Sequence, residues 1–221
     1  MASIVSPPNP ISSHQTTSTP PAVVLQNSAP PLIAVQRHRF SIAQYHEIID
    51  HGIFAEDEPI ELIRGEIVRK MPIGTSHAFA VNMLTRLLSK RLPESAMLSI
   101  QNPVLLTDSE PEPDVAVLSF PTDAYASRRP VAEDVFLLIE VADTSLAFDR
   151  DVKGPVYAEA GIVEYWIVNL NNSTVEIYRD PQPDGRFATV TTASISATLS
   201  PLKFSDVSLR VDEILVPTEP G

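Results

Sequence analysis

A Pro-Asp dipeptide opens the apolar stretch Pro113-Asp114-Val115-Ala116-Val117, and a second carboxylate, Glu140, stands inside the apolar run at residues 136–141. If the two runs are neighbouring strands, both carboxylates project from one end of a sheet with apolar walls. Two such charges repel, and a divalent cation is an effective neutraliser. Hard oxygen ligands of this kind suit Mg²⁺ or Mn²⁺, which keep several waters that a substrate phosphate can replace. Taken alone, Asp114 reads first as a turn cap after proline. Glu140 is harder to dismiss, because a carboxylate within a central apolar strand is costly unless it is paired or bound to metal.

Asp149 and Lys153 lie four residues apart at the start of a predicted helix. That spacing makes an ordinary helix-surface ion pair. The alternative turns Lys153 back into the site, where its ammonium would orient an attacking water and offset charge on the phosphate. Other candidates carry less. His38, His46 and His51 have no metal-ligand spacing and read as surface histidines. Trp166 reads as core, Ser145 has no partner arrangement that would make it a nucleophile, and no Gly-rich phosphate loop precedes a helix.

The elements that must position these residues follow from periodicity. Ser41 and Gln44 stand at capping-box spacing, with Phe40 and Tyr45 as a hydrophobic staple, which predicts a helix over residues 41–51 ending before Gly52. Runs at 60–63 and 67–71 around Arg64-Gly65 predict a hairpin. Ser76 is placed to cap a helix over 77–92, where Ala80, Met83, Leu84, Leu87, Leu88 and Leu92 recur at helical spacing before Pro93. Strands are expected at 98–107, 114–119 and 135–141, the last buried on both faces. A helix over 150–160 stops at Gly161, a strand follows at 164–169, and a hairpin pairs 175–179 with 186–191. The class is mixed α/β.

Composition bounds the rest. The chain has 221 residues, no cysteine and 21 prolines. A disulfide framework, a thiolate zinc site and a cysteine nucleophile are thereby excluded. Residues 1–36 hold seven of the prolines and no charged side chain, so residues 1–38 read as a disordered Pro/Ser/Thr-rich tail that either docks an unknown partner or is dispensable. A single domain is expected over 39–217. No apolar run reaches the ~20 residues of a membrane span, and no export signal opens the sequence, so a cytoplasmic, soluble protein without membrane contact is expected.

Pro113-Asp114, Glu140-Val141, Asp149 with Lys153, Tyr157, Gly161 and Glu164-Tyr165-Trp166-Ile167-Val168, in that order, resemble the bacterial Uma-type restriction endonuclease family of the PD-(D/E)XK nuclease superfamily. Glu61-Leu62-Ile63-Arg64-Gly65-Glu66 followed by His77 is similar to that family's N-terminal motif. The resemblance covers residues 40–215. It implies a restriction-endonuclease-like core, a mixed sheet flanked by helices, that cleaves DNA phosphodiester bonds with Mg²⁺. It also implies that Asp114, Glu140 and the Val141 backbone carbonyl hold the metal, that Lys153 is the catalytic lysine, that Glu66 and His77 complete the rim, and that the protein dimerises to cut a duplex. The sequence departs from the superfamily at one place, where Ala142 occupies the position two residues after the glutamate that usually carries lysine. That departure keeps open a second reading, a catalytically inactive nuclease fold that binds DNA or protein. A third is a carboxylate-metal hydrolase of small phosphate esters.

The formal charge of −12 argues at first against nucleic acid. Between Glu61 and Arg91, however, Arg64, Arg69, Lys70, Arg86, Lys90 and Arg91 face only Glu61 and Glu66, a local charge of +4 that leaves −16 elsewhere. The hairpin and the second helix are therefore the expected DNA-facing surface. Binding there should be local and salt-sensitive.

Overall fold

The order of apolar runs dictates a sheet whose middle strands are buried on both faces, and the computed structural model has that sheet. It describes residues 37–55, 57–120 and 124–215. The chain divides into Met1–Arg37 and His38–Gly221. The expected tail and its docking role fall outside the described residues, apart from its last two positions.

Helix α1 (Ile42–Asp50) begins at the expected capping box. The Gln44 N–H donates to Ser41 Oγ at 3.2 Å, and the Ser41 N–H donates to Gln44 Oε1 at 3.0 Å. Strands β1 (Ile60–Ile63) and β2 (Glu66–Arg69) form the predicted hairpin. Its two turn residues, Arg64 and Gly65, have φ of 51° and 74°, the left-handed pair that a two-residue hairpin turn requires. Gly65 is also needed for space, because its turn lies against the Phe40 backbone.

Helix α2 (Thr75–Arg91) starts one turn-edge earlier than the sequence suggested. Gly74 takes the extended cap position and no side chain caps the helix, so Ser76 lies inside the first turn. Strand β3 (Ala96–Ile100) is shorter than the expected 98–107. The pleat ends where Gln101 adopts a φ of 52°, a turn that also brings its backbone N–H to the Asp114 carbonyl at 3.2 Å. Strands β4 (Val115–Ser119) and β5 (Val135–Ala142) follow.

Residues 146–159 make one crossover helix in three pieces. They are α3 (Leu146–Phe148), a π turn (Asp149–Lys153) and α4 (Gly154–Glu159). The helix starts before the expected Arg150. The widened turn precedes Pro155, whose ring and missing donor disturb a regular helix ladder. Strands β6 (Glu164–Asn169), β7 (Thr174–Pro181) and β8 (Phe187–Ala193) complete a six-stranded sheet in the order β3-β4-β5-β6-β7-β8. Pairing is antiparallel except between β5 and β6, which the crossover helix joins in parallel. A short ribbon of β9 (Thr198–Leu199) and β10 (Leu209–Arg210) leads into α5 (Val211–Ile214).

Two layers of core follow from alternation along β5. Leu137, Ile139 and Val141 face α2 and α5, with Leu84, Leu88, Trp166 and Ile214. Leu138 and Ala142 face the crossover helix, with Val156, Tyr157 and Tyr165. Glu140 shares that second parity, which turns its carboxylate toward the crossover helix. Trp166 is fully buried, as its core reading required. Among the described residues no helix is long and apolar enough to cross a membrane.

Candidate active site

Because β4 and β5 are antiparallel with Val115 opposite Ile139, the residue before Val115 lies beside the residue after Ile139. That register is what brings Asp114 and Glu140 together. The Asp114 N–H donates to Glu140 Oε2 at 3.3 Å, and the Val141 N–H donates to Asp114 Oδ2 at 2.8 Å. Both carboxylates are buried. Each end of the two-strand junction is thus tied to the other's backbone, which fixes the carboxylates without using all their lone pairs.

Lys153 comes from the π turn of the crossover helix. Its Nζ lies 3.0 Å from Glu140 Oε1 and 3.2 Å from Glu61 Oε2, and it is 5% exposed. It therefore points into the sheet end and not to solvent. Ala142, in the place usually held by lysine, lies on the same face of β5 as Glu140, and the ammonium beside Glu140 comes instead from the crossover helix. Tyr157, one turn further along, donates its hydroxyl to Glu140 Oε1 at 2.8 Å.

His77, in the first turns of α2, donates Nε2–H to Asp114 Oδ2 at 3.0 Å, and Gln101 donates its amide to Oδ1 at 3.2 Å. Oδ2 thereby receives two donors and Oδ1 one. The other His77 nitrogen, Nδ1, is buried with no hydrogen-bond partner. Glu61 is held in turn by the Glu112 N–H at 3.0 Å. Asp149 accepts the Ser145 hydroxyl at 2.6 Å.

Three buried carboxylates, Glu61, Glu140 and Asp149, therefore act on one lysine, while a fourth, Asp114, has His77 as its partner. Burial pushes the Glu140 carboxyl up to about 8 against the pull of Lys153, and the charges of Asp114, Asp149 and Glu61 push the same way. Burial likewise raises Asp149 to about 6, with Lys153 and the Ser145 hydroxyl opposing. For Asp114 burial also pushes upward, but the His77, Val141 and Gln101 bonds together hold it below the ordinary carboxylate value. Lys153 is held above its ordinary value: burial works against its charge, and Glu140, Glu61 and Asp149 outweigh it. The excess of negative charge is what a divalent cation would relieve.

The donor set fits a small hard cation. Among the described residues no cluster of three or more His, Asp or Glu side chains converges as a metal cage. A pair of carboxylates leaves the other positions to a backbone carbonyl and water, the arrangement Mg²⁺ favours. A cleft of about 210 Å³ opens on this group and is lined by Glu61, His77, Asp114, Glu140, Val141, Asp149 and Lys153.

The structure thus gathers Asp114, Glu140, Val141, Lys153 and His77 at one cleft. Glu66, opposite Ile63 in the hairpin, is not among the lining residues, and Glu61 occupies the inner position. Glu61 was legible by the argument applied to Glu140, a lone acid in the apolar run Ile60-Glu61-Leu62-Ile63. Gln101 carried no signal, since its role depends on the turn after β3.

The five candidate DNA-facing cations separate. Arg64 pairs with Glu159 at 2.8 Å, Lys70 with Glu112 at 2.9 Å, and Arg69 with Glu58. Arg69 and Lys70 line the cleft. Arg86 and Lys90 lie exposed on α2, nine and thirteen residues beyond His77, or about 14 and 20 Å along the helix axis.

A family model described as "Uma2: Putative restriction endonuclease" matches residues 42–212. Among solved structures, the chain resembles one described as a "putative nuclease belonging to DUF820" from Anabaena variabilis. The two are 17% identical, the match covers 79% of this chain and 97% of that one, and the TM-score is 0.59. At that identity the likeness speaks to the fold. No curated protein matches the chain.

Proposed function

The chain belongs to the Uma2 family, and from that premise we propose that it is a Mg²⁺- or Mn²⁺-dependent endonuclease hydrolysing DNA phosphodiester bonds. Asp114, Glu140 and the Val141 carbonyl would hold the metal. Lys153 would act on the attacking water. The observation that carries this reading is the convergence of Asp114, Glu140 and Lys153 from three different elements on one cleft, with Lys153 Nζ 3.0 Å from Glu140.

When bound, the cation supplies charge stabilisation to the phosphate and makes water a better nucleophile. The chain's own residues do the rest. Glu140 is oriented by Tyr157, and Asp114 by His77, Gln101 and the Val141 N–H. An ammonium carries three donors, and Lys153 gives one to Glu140 Oε1 while lying 3.2 Å from Glu61 Oε2. A remaining donor would serve a water or a non-bridging phosphate oxygen in the cleft. Water attacks phosphorus in line and gives up a proton to solvent, the P–O bond to the departing sugar oxygen breaks and that oxygen takes up a proton from solvent, and Lys153 stabilises the negative charge that develops on the phosphate. Cutting both strands of a duplex would take two copies, so a homodimer on DNA is part of the proposal.

The test is cleavage of plasmid and linear DNA in Mg²⁺ and in Mn²⁺ by the full chain and by Asp114→Ala and Glu140→Ala, with circular dichroism to verify folding. Both variants should fold and fail to cut. Undiminished cutting by both would remove the assignment.

A further inference from the structure

Helix α2 has an outer face that the core does not use. Ala80, Val81, Leu84, Leu87 and Leu88 are buried, while Phe79, Met83, Arg86 and Lys90 recur at spacings of four, three and four along the opposite stripe. That stripe begins at Phe79, little more than one helical turn beyond Ile73 and Gly74, which line the cleft, and on a different side of the helix from His77. Phe79 is 42% exposed, a large apolar ring left in water, and Met71 and Ile73 are exposed beside the same opening. The helix contains three cations and no acid in a chain whose net charge is −12.

Pairing distinguishes these cations from the others near the site. Arg64, Arg69, Lys70 and Arg91 are each held by a glutamate. Among the described residues Arg86 and Lys90 make no ion pair and no side-chain hydrogen bond, although an acidic chain offers many partners. Both line a groove with Phe79, Met83 and Leu87, and the acids there, Glu213 and Asp212, are already taken by Arg91 and Arg210. A positive stripe with an aromatic at its cleft end complements a polyanion with flat bases. A second copy of this acidic chain would offer such bases nowhere.

Resting on the nuclease reading, we infer that an unpaired nucleic-acid strand entering the cleft is received on the outer face of α2, with Phe79 against a base and Arg86 and Lys90 on backbone phosphates. Aromatic stacking reads unpaired bases, whereas an intact duplex presents phosphates first. The preferred substrate is then single-stranded DNA, or a duplex with a single-stranded flank.

The experiment measures anisotropy of a labelled single-stranded 20-mer and of its blunt duplex with the full chain, over a range of salt. The variants are Arg86→Ser/Lys90→Ser and Phe79→Ser, with Phe79→Tyr as the conservative replacement. All three positions are exposed or at the surface, and calorimetric Mg²⁺ titration with circular dichroism verifies that the site and fold persist. The double variant should weaken single-strand binding about tenfold and lower the log–log salt slope by about 1.4, which is ~0.7 for each phosphate no longer neutralised. Phe79→Ser should weaken single-strand binding at least about fivefold, leave duplex binding unchanged, and be restored by Phe79→Tyr.

Unchanged affinity and slope in a chain that cuts DNA would overturn the inference and leave the nuclease reading standing. So would a change of mass by light scattering without a change in DNA affinity, which would make the stripe an interface between copies. If the natural chain binds single strands through this stripe yet cuts nothing in Mg²⁺ or Mn²⁺, the inference holds and the nuclease reading fails.

Discussion

Replacing Lys153 by methionine should cost far more than replacing Glu140 by glutamine, although the two side chains touch each other. Lys153 is the cation acting on three buried carboxylates, Glu61, Glu140 and Asp149, within 3.2 Å of the first two. Its removal strands Glu61 and Asp149 with no compensating charge and leaves Glu140 beside Asp114. Breaking a buried ion pair from one side typically costs about 3–5 kcal/mol. For a domain of this size each kcal/mol moves the melting temperature by roughly 2–4 °C, so Lys153→Met should melt about 6–20 °C lower. Glu140→Gln has the opposite balance. Lys153 keeps Glu61, Tyr157 can still donate to the amide oxygen, and a carboxyl that burial already holds largely protonated near neutral pH is replaced by a neutral group of similar shape. Its effect on stability should stay within about 1 kcal/mol. The double variant should be more stable than Lys153→Met alone, because fewer stranded charges remain. Urea denaturation in EDTA at pH 7.5, followed by circular dichroism, measures all four proteins. A Lys153→Met destabilisation below about 1 kcal/mol, or a larger one in Glu140→Gln, would refute the charge balance on which the site description rests.

Three further outcomes follow from the same geometry. Without metal, stability should fall as pH rises from about 5 to about 8, because folded Glu140 (about 8) and Asp149 (about 6) hold protons that their unfolded forms, near 4.5 and 3.8, have released. Asp114 has the reverse sign and adds a loss of stability only in acid, below about 4. Melting curves in EDTA check this: the slope should flatten in Glu140→Gln, and a rise in stability between pH 5 and 8 would contradict it. His77→Ala removes one of the two donors on Asp114 Oδ2 and should lower Mg²⁺ affinity by about tenfold, as removing a ligand's hydrogen-bond partner commonly does, with His77→Gln intermediate by calorimetry. Gly65→Ala should destabilise by about 1–3 kcal/mol in urea, since φ is 74° and the added Cβ would lie 2.9 Å from the Phe40 carbonyl oxygen. A neutral result would mean that the hairpin turn yields where the packing says it cannot.

What could be read without coordinates was whatever a residue's immediate neighbours make expensive or cheap. Glu140 inside an apolar strand, the Ser41–Gln44 box and the Arg64-Gly65 turn all met local requirements, and each took the predicted form. Boundaries that depend on distant parts of the chain went differently. Ser76 had the right chemistry for a cap, but Gly74 took the extended position. The strand expected to run to residue 107 stopped at Ile100, where the Gln101 turn is stabilised by Asp114 thirteen residues on. The +4 charge of residues 61–91 was countable, yet whether each cation was free or already spent on Glu58, Glu112, Glu159 or Glu213 was not.

The sequence by itself determined that Asp114 opens one apolar run and Glu140 stands inside another, and that Ala142 holds the strand position where lysine was expected; the β4–β5 register then set the two carboxylates side by side. The family resemblance pointed to Lys153, and tertiary structure alone decided that its ammonium turns inward and not to solvent. A π turn before Pro155 and a parallel crossover between β5 and β6 carry that side chain to Glu140 and Glu61. The physical reason is range. Alternation and capping act over a few residues and are written in the order of side chains, whereas the compensation of buried charge is a sum over groups that only the packed chain brings within a few ångströms.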